Sequence, residues 1–454
     1  MKSKRIYILI PLISLLLSGC SQKVANNIEV PTDETHIESK DSGDNIASSS
    51  TTSESKAAAQ TSNAESTDAI DNNDESNADS STATTISNDD SLSTESTAIS
   101  ESDDITILMV GDILLHTPIE DAAKDENGNY NFDFIFADLK DEISAADLAI
   151  VNQEVIIGGE ELGVSGYPGF NAPVEIGDAL VDAGFDVVCH STNHVLDKGK
   201  TGLVNCYNYW KEKHPEITVI GINSNEDEYN NIDIIEKKGV RIAILNYTYG
   251  TNGIPLPSDM PYAVDLLDKE KIITDLKYAE ENADFTIVCP HWGTEYNLGI
   301  DSNQEYYTEL FRTYGADLVL GTHPHVIEPI EMFEDNNTPI TNNHGDGDML
   351  VYYSLGNFVN WTSSSGDGIA NRMVGGMAQI TIGKDSNNEL AIKDYGVRSI
   401  VCHLRTGHEG ISVYPLSDYS ESLANTNEII KQDSHFSKEY CVDLCNKVWG
   451  DIWK

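Results

Sequence analysis

Basic residues are scarce in this chain: 28 Lys and Arg stand against 75 Asp and Glu, a formal net charge of −47. Duplex nucleic acid is therefore not an expected partner, since binding it takes basic patches that neutralise phosphates. Long apolar runs are scarce too. Only Ile6–Leu17 is nearly continuous, broken by Pro11 and Ser14, and it falls short of the about 20 residues a spanning helix needs. Aromatic residues are missing from a whole tract, because Ser21–Asp104 holds no Phe, Trp or Tyr. Such a stretch cannot bury enough apolar surface to offset the entropy of ordering it. Residues 21–104 thus read as a disordered acidic linker rich in Ser, Thr and Asp, with a reach of roughly 50 Å as a flexible coil. Cysteines number only seven, and neither a disulfide framework nor a zinc spacing can be read from them. Cys189 and Cys289 sit in apolar strand-like runs as small core residues, and Cys206, Cys402, Cys441 and Cys445 read as structural as well.

What is present begins at the N-terminus. Lys2, Lys4 and Arg5 precede the short apolar run, the pattern of a secretory signal. Leu17-Ser18-Gly19-Cys20 follows and resembles the lipobox of bacterial lipoproteins. That resemblance implies a signal peptide over 1–20 and lipidation of Cys20. Two acyl chains give durable membrane anchoring where one is marginal. The expected location is the extracellular face of the bacterial cytoplasmic membrane, with 21–104 as a tether.

From Ile105 onward about 350 residues remain, enough for one large domain with a substantial core. Short β-branched runs recur at Ile105–Val110, Leu148–Val151, Phe185–Cys189, Ile217–Ile220, Arg241–Leu245, Phe285–Cys289, Leu318–Leu320 and Leu350–Tyr353. Continuous apolar strands imply burial on both sheet faces. Helical periodicity over Val174–Ala183, Lys269–Glu281 and Gln304–Tyr314 alternates with them, which predicts an α/β fold. Gly375–Ile382 reads as a later antiparallel strand and Lys438–Trp453 as an amphipathic helix. The expected division is a domain over 105–385 and a C-terminal extension over 386–454 packing on it.

Five polar clusters fall just after strand ends, where open α/β sheets place their ligands. They are Gly111-Asp112; Asn152-Gln153-Glu154; Asn193-His194 with Asp197; His291-Trp292-Gly293 with Glu295; and Gly321-Thr322-His323-Pro324-His325. Each alone is weak, since a Gly-Asp after a strand is more often a turn than a ligand. In an extended segment a His-x-His pair would set both imidazoles on one side. Together, carboxylate, amide and imidazole donors suit one or two divalent ions of Mn, Fe or Zn, without thiolates. Two such ions would activate water and clamp attacking and leaving oxygens.

The order of these stretches, with Ala183–Val188, Gly199, His291–Tyr296, Gly321–Val326 and Ser354-Leu355-Gly356-Asn357-Phe358, resembles the CapA family of poly-γ-glutamate capsule proteins. The fold of that family is similar to calcineurin-like metallophosphoesterases. The likeness covers roughly Ile105–Phe358 and implies a four-layer α-β-β-α sandwich resembling metallo-dependent phosphatases. It implies Asp112 and His325 at a first metal, Glu154 as a bridge, and Asn193, His291 and His323 at a second. It further implies His194 as a general acid, with Glu295 and Asn357 in outer-shell or substrate contacts. Three positions depart from the pattern. Leu114 stands where a histidine is usual, with His116 nearby as a candidate substrate contact, Thr192 where asparagine is usual, and Gln153 where leucine is common. The implied role is a metal-dependent hydrolase or transferase in synthesis, anchoring or trimming of an anionic cell-surface polymer, with a membrane capsule-synthesis complex as partner. A non-catalytic polymer-binding or assembly protein and an extracellular phosphoesterase are the alternatives.

Overall fold

Strand β1 (Ile105–Ile113) is the middle strand of the larger of two sheets. In the computed structural model the described residues are 103–334, 348–386, 388–405 and 410–453. The expected signal peptide, Cys20 and nearly all of the linker lie outside them. After β1 come α1 (Thr117–Ala123), α2 (Lys140–Ala145), β2 (Leu148–Asn152), α3 (Glu175–Ala183), β3 (Val187–Cys189), α4 (Gly199–Lys213) and β4 (Thr218–Ile220). The chain continues through α5 (Glu226–Tyr229), β5 (Asp233–Lys237), β6 (Val240–Thr248), α6 (Lys269–Asn282), β7 (Phe285–His291), α7 (Ser302–Thr313) and β8 (Leu318–Leu320). It closes with β9 (Ile330–Phe333), β10 (Met349–Tyr352), β11 (Asn357–Val359), β12 (Val374–Lys384), β13 (Leu390–Leu404), β14 (Ile411–Pro415), α8 (Glu421–Ala424) and α9 (Lys438–Trp449).

Two sheets form. An eight-stranded sheet runs β14-β13-β12-β1-β2-β3-β4, with β11 paired to β1, and a six-stranded sheet runs β5-β6-β7-β8-β10-β9. The second sheet shows by strict alternation how the layers are made. Ile242, Ile244, Ile287, Leu318, Leu320, Leu350 and Tyr352 pack into the core shared with Met109 and Val110 of the first sheet. Their neighbours Leu245, Tyr247, Val288, Val319, Met349 and Val351 face the other way, against Ile272 and Leu276 of α6 and Phe311 of α7. Successive side chains leave a strand on opposite faces, so each strand serves two cores at once. Each fully buried aliphatic chain contributes roughly 1.5–3 kcal/mol. The result is the α-β-β-α sandwich expected from the sequence.

The helices outside the second sheet start where their caps dictate. Asp268 accepts hydrogen bonds from the amides of Glu270 and Lys271 at the head of α6. Asp301 and Gln304 form a reciprocal capping box on α7, a pairing that satisfies two otherwise orphan donors. The strand expected over Gly375–Ile382 is β12, antiparallel to β1 with Met109 opposite Ala378. Within 386–454, β13 and β14 continue the first sheet beyond β12 as its two outer strands. Strands β1, β2 and β3 run parallel, as do β6, β7 and β8. Their C-terminal ends bring the polar clusters of both sheets to one rim. The six cysteines beyond Cys20 are all buried and free.

Candidate metal centre

Asp112, near the end of β1, is fully buried and receives three polar contacts. Asn152 Nδ2, from the last residue of β2, donates to its Oδ1 at 2.8 Å. His325 Nδ1 lies 3.1 Å from its Oδ2, and the His323 amide donates to the same oxygen at 3.4 Å. Glu154, just past β2, faces imidazoles on both sides. His325 Nε2 is 3.5 Å and His291 Nε2 is 3.7 Å from its Oε1. Asn193 joins through Oδ1, 3.0 Å from His291 Nε2. Asp112, Glu154 and His325 offer donor atoms within 4.8 Å of one another, as do Glu154, His291 and His323. Glu154 belongs to both groups. A third grouping takes the exposed carboxylate of Glu295 with His323 and His325.

The donors fit a divalent cation. Both carboxylate oxygens of Glu154 and Nδ1 of His323 are buried without a hydrogen-bond partner, an arrangement that costs free energy unless something accepts the lone pairs. Ionisation within the cluster is strongly shifted, and His325 would have to give up its proton to act as a ligand. Burial opposes ionisation of Glu154, yet His325 and His291 together hold its carboxyl well below the ordinary range. Asp112 moves up, because burial and the adjacent Glu154 outweigh its bond to His325. His325 reaches about 10, with Glu154 and Asp112 overcoming burial, while burial and the two neighbouring imidazoles push His323 far down. The Nδ1 atoms of two of the ligand candidates have partners. His291 Nδ1 is 3.0 Å from Thr322 Oγ1, and His325 Nδ1 is also 3.0 Å from Asn357 Oδ1. Partners of this kind fix the orientation of a ligating imidazole.

The backbone is shaped for the purpose. Of six described non-glycine residues with positive φ, His323, His325, Tyr296 and Asn252 stand at this rim. Sparsely populated conformations of this sort cost about 1–3 kcal/mol each and gather at functional sites. The extended geometry expected for the His-x-His pair is thus corrected. With φ of 101° and 58° the segment is a turn, and its imidazole centroids come 5.8 Å apart by that route. Gly111 explains the first motif, since a Cβ there would lie 1.9 Å from the Gly356 carbonyl.

His194 forms a dyad with Asp197, whose Oδ2 lies 2.7 Å from its Nδ1. The same carboxylate accepts the Phe170 amide at 2.9 Å, and the Phe170 ring packs edge-on against His194. His116 touches the other side of Phe170, with centroids 5.1 Å apart. It occupies the N-cap position of α1 without a side-chain capping bond and is in none of the ligand groups among the described residues. Burial and the neighbouring His325 drop its pKa to about 4. Leu114 is buried among apolar residues. Asn357 tethers rather than lines: its Nδ2 donates to the carbonyls of His325 and Arg372.

Several contributors escaped the sequence reading. Asn252, in the turn after β6, accepts from Asn193 Nδ2 at 3.2 Å, and its own amide approaches His194 Nδ1 at 3.4 Å. The strand-end logic that located the other clusters applies to it equally. Asn246 bridges the sheets, accepting from the Ser191 amide and donating to the Cys289 carbonyl, both at 2.7 Å. Tyr249 and Tyr296, both about half exposed, stand beside His323 and His325 with centroids 4.6 and 6.0 Å away. Tyr296 closes the His291–Tyr296 stretch, but nothing in the local sequence signals Tyr249.

Fold and site together define a two-sheet α/β protein with a buried carboxylate–histidine centre suited to a divalent metal. The family model described as "Bacterial capsule synthesis protein PGA_cap" matches residues 106–362, more than half of the chain, and the chain belongs to that family. It is 25% identical over 274 residues to "Capsule biosynthesis protein CapA" of Bacillus anthracis, spanning 58% of this chain and 62% of that one. It is 31% identical over 187 residues to "PGA biosynthesis protein CapA" of Bacillus subtilis (strain 168), spanning 40% and 45%. The chain therefore covers less than two thirds of either relative. Among solved structures, a 5'-nucleotidase precursor from Thermus thermophilus aligns at 14% identity and a TM-score of 0.38, over 66% of this chain and 54% of that one. Haemophilus influenzae NAD nucleotidase aligns at 12% and 0.36, over 76% and 59%.

Proposed function

We propose that this protein is a metal-dependent hydrolase or transferase acting on an anionic cell-surface polymer during its synthesis, anchoring or trimming. The observation that carries the reading is Glu154: buried, unpartnered at both oxygens, and common to two groups of ligand donors. Asp112 and His325 would hold one ion and Asn193, His291 and His323 a second, with Glu154 common to both groups of donors. When bound, Mn, Fe or Zn supplies Lewis acidity and a nucleophilic water at neutral pH. The chain's own contribution is proton management. Asp197 fixes the Nδ1 side of His194, which leaves Nε2 to give a proton to the leaving group as a general acid.

The names of the Bacillus relatives speak of capsule and PGA biosynthesis, and the first candidate substrate we take from this is a γ-glutamyl capsule polymer, with a membrane capsule-synthesis complex as candidate partner. Lipidation at Cys20 would hold the domain at the outer face of the membrane, at the end of its acidic linker. A polymer-binding assembly factor is the second reading, favoured by the exposed Tyr249 and Tyr296 beside the centre.

Elemental analysis of the full chain, alone and as Asp112→Ala and His323→Ala/His325→Ala variants, tests the centre first. About two equivalents of Mn, Fe or Zn, lost in the variants while the fold persists, support it. Cleavage of a γ-glutamyl polymer that disappears in His194→Ala then establishes catalysis. Metal without turnover favours the assembly reading, and turnover of a small phosphoester alone favours a phosphoesterase. No metal under replete conditions sinks the catalytic assignment.

A further inference from the structure

Arg372 lies in the short turn of Ile369–Met373 that leads into β12. Its carbonyl accepts from Asn357 Nδ2 at 3.0 Å, and the same side-chain amide donates to the His325 carbonyl at 2.9 Å. One amide thus ties the backbone of this arginine to a metal-ligand candidate. The guanidinium lies 3.5 Å from the ring centroid of Tyr296, whose ring neighbours His325 at 6.0 Å. Nη1 donates to Thr362 Oγ1 at 3.0 Å.

The side chain is half-buried, and among the described residues no carboxylate is ion-paired with it. Glu295 is close enough to be felt, without pairing. That arrangement is unusual in a chain with 75 acidic residues and only 28 basic ones. Partly desolvating a cation costs free energy unless an anion answers it, and stacking on one tyrosine offsets only about 0.5–2 kcal/mol. The fork of guanidinium N–H groups matches a carboxylate in two parallel hydrogen bonds. One cation also balances one negative charge.

We infer that Arg372, braced on Tyr296, grips a carboxylate of the substrate beside the metal centre, making it the residue that selects a carboxylate-bearing chain. The inference rests on the reading that substrate reacts at that centre. It assigns the selecting group to a residue outside every ligand cluster.

The test uses the full chain with its metal content measured in parallel. Calorimetry compares a γ-linked glutamate trimer, its α-carboxamide counterpart and inorganic phosphate. Wild type should bind the carboxylate trimer at least tenfold more tightly than the amide. Arg372→Met keeps the aliphatic packing, and it should abolish that preference while metal content and melting temperature stay unchanged. Arg372→Lys should restore part of it, since a point charge lacks the fork. Equal binding of acid and amide by wild type, or an undiminished preference in Arg372→Met, overturns the inference. So does Arg372-dependent binding of phosphate alone. An Arg372-dependent preference in a protein that takes up no metal would uphold the carboxylate site while sinking the hydrolase reading.

Discussion

Glu154 and Glu120 are both buried, both have two unpartnered oxygens, and their carboxyls shift in opposite directions. Burial dominates at Glu120, in helix α1: it lifts the carboxyl to about 8, Asp121 adds to the rise, and Lys198 only partly opposes it. Glu328 behaves likewise at about 8, despite a 2.6 Å bond from Gln304. At Glu154 the same burial is overturned by His325 and His291. The contrast separates two uses of a buried acid. One is kept neutral in an apolar setting, the other is kept charged by a ring of nitrogen donors, which is the state a cation requires.

Replacing the two glutamates tests that contrast most sharply. Glu154→Ala should remove bound metal altogether, a loss well beyond the roughly 100-fold that outer partners of a metal site cost. Elemental analysis that still found full occupancy would erase the distinction. Next in size is the proton relay. Asp197→Asn should lower turnover by about 100-fold, on the scale of general acid catalysis, with metal content unchanged. A proportional loss of metal would show that the dyad supports the ligands instead. Thr322→Val strips the oxygen that faces His291 Nδ1 and should weaken metal affinity about tenfold, measured by competition with a chelator.

The smallest effect belongs to Glu120→Gln. A carboxyl lifted from 4.5 to about 8 keeps its proton in the folded state while the unfolded chain releases it. Stability therefore falls as pH rises through that window, by up to about 1.4 kcal/mol per unit, and levels off above it. The variant should flatten this slope and raise the melting temperature by a few degrees at pH 8, leaving metal content alone. A slope unchanged in Glu120→Gln would mean that this carboxyl is ionised in the fold.

Much of the centre was legible because one rule generates it. Parallel strands buried on both faces read as apolar runs, and the polar residue ending each run lands at the common rim. Asp112, Asn152, Glu154, Asn193, His291, His323 and His325 all follow that rule. Arg372 does not, since it sits in a turn fifteen residues beyond Asn357, and only tertiary packing sets it against Tyr296. The His-x-His pair was found for the wrong geometric reason, because local sequence does not report the sign of φ. Strand β13 was illegible for another reason. Its first half is mostly half-buried or exposed and its second half mostly buried, so it shows neither continuous apolarity nor alternation. The edge strand β5 is similarly polar.

The meeting of Gly111 with Gly356 has a consequence in time as well as in space. The Asp112 amide donates to the Gly356 carbonyl at 3.0 Å, and the Leu114 amide to Val359 at 3.1 Å. These bonds stitch β1 to β11, so Asp112 and Asn357 belong to one cooperative unit. Local opening near the rim cannot expose them separately. Their hydrogen-exchange protection should match that of the central strands. The centre would then have a fixed floor, on which Asp112 keeps its spacing from Asn357 while the rest of the rim breathes.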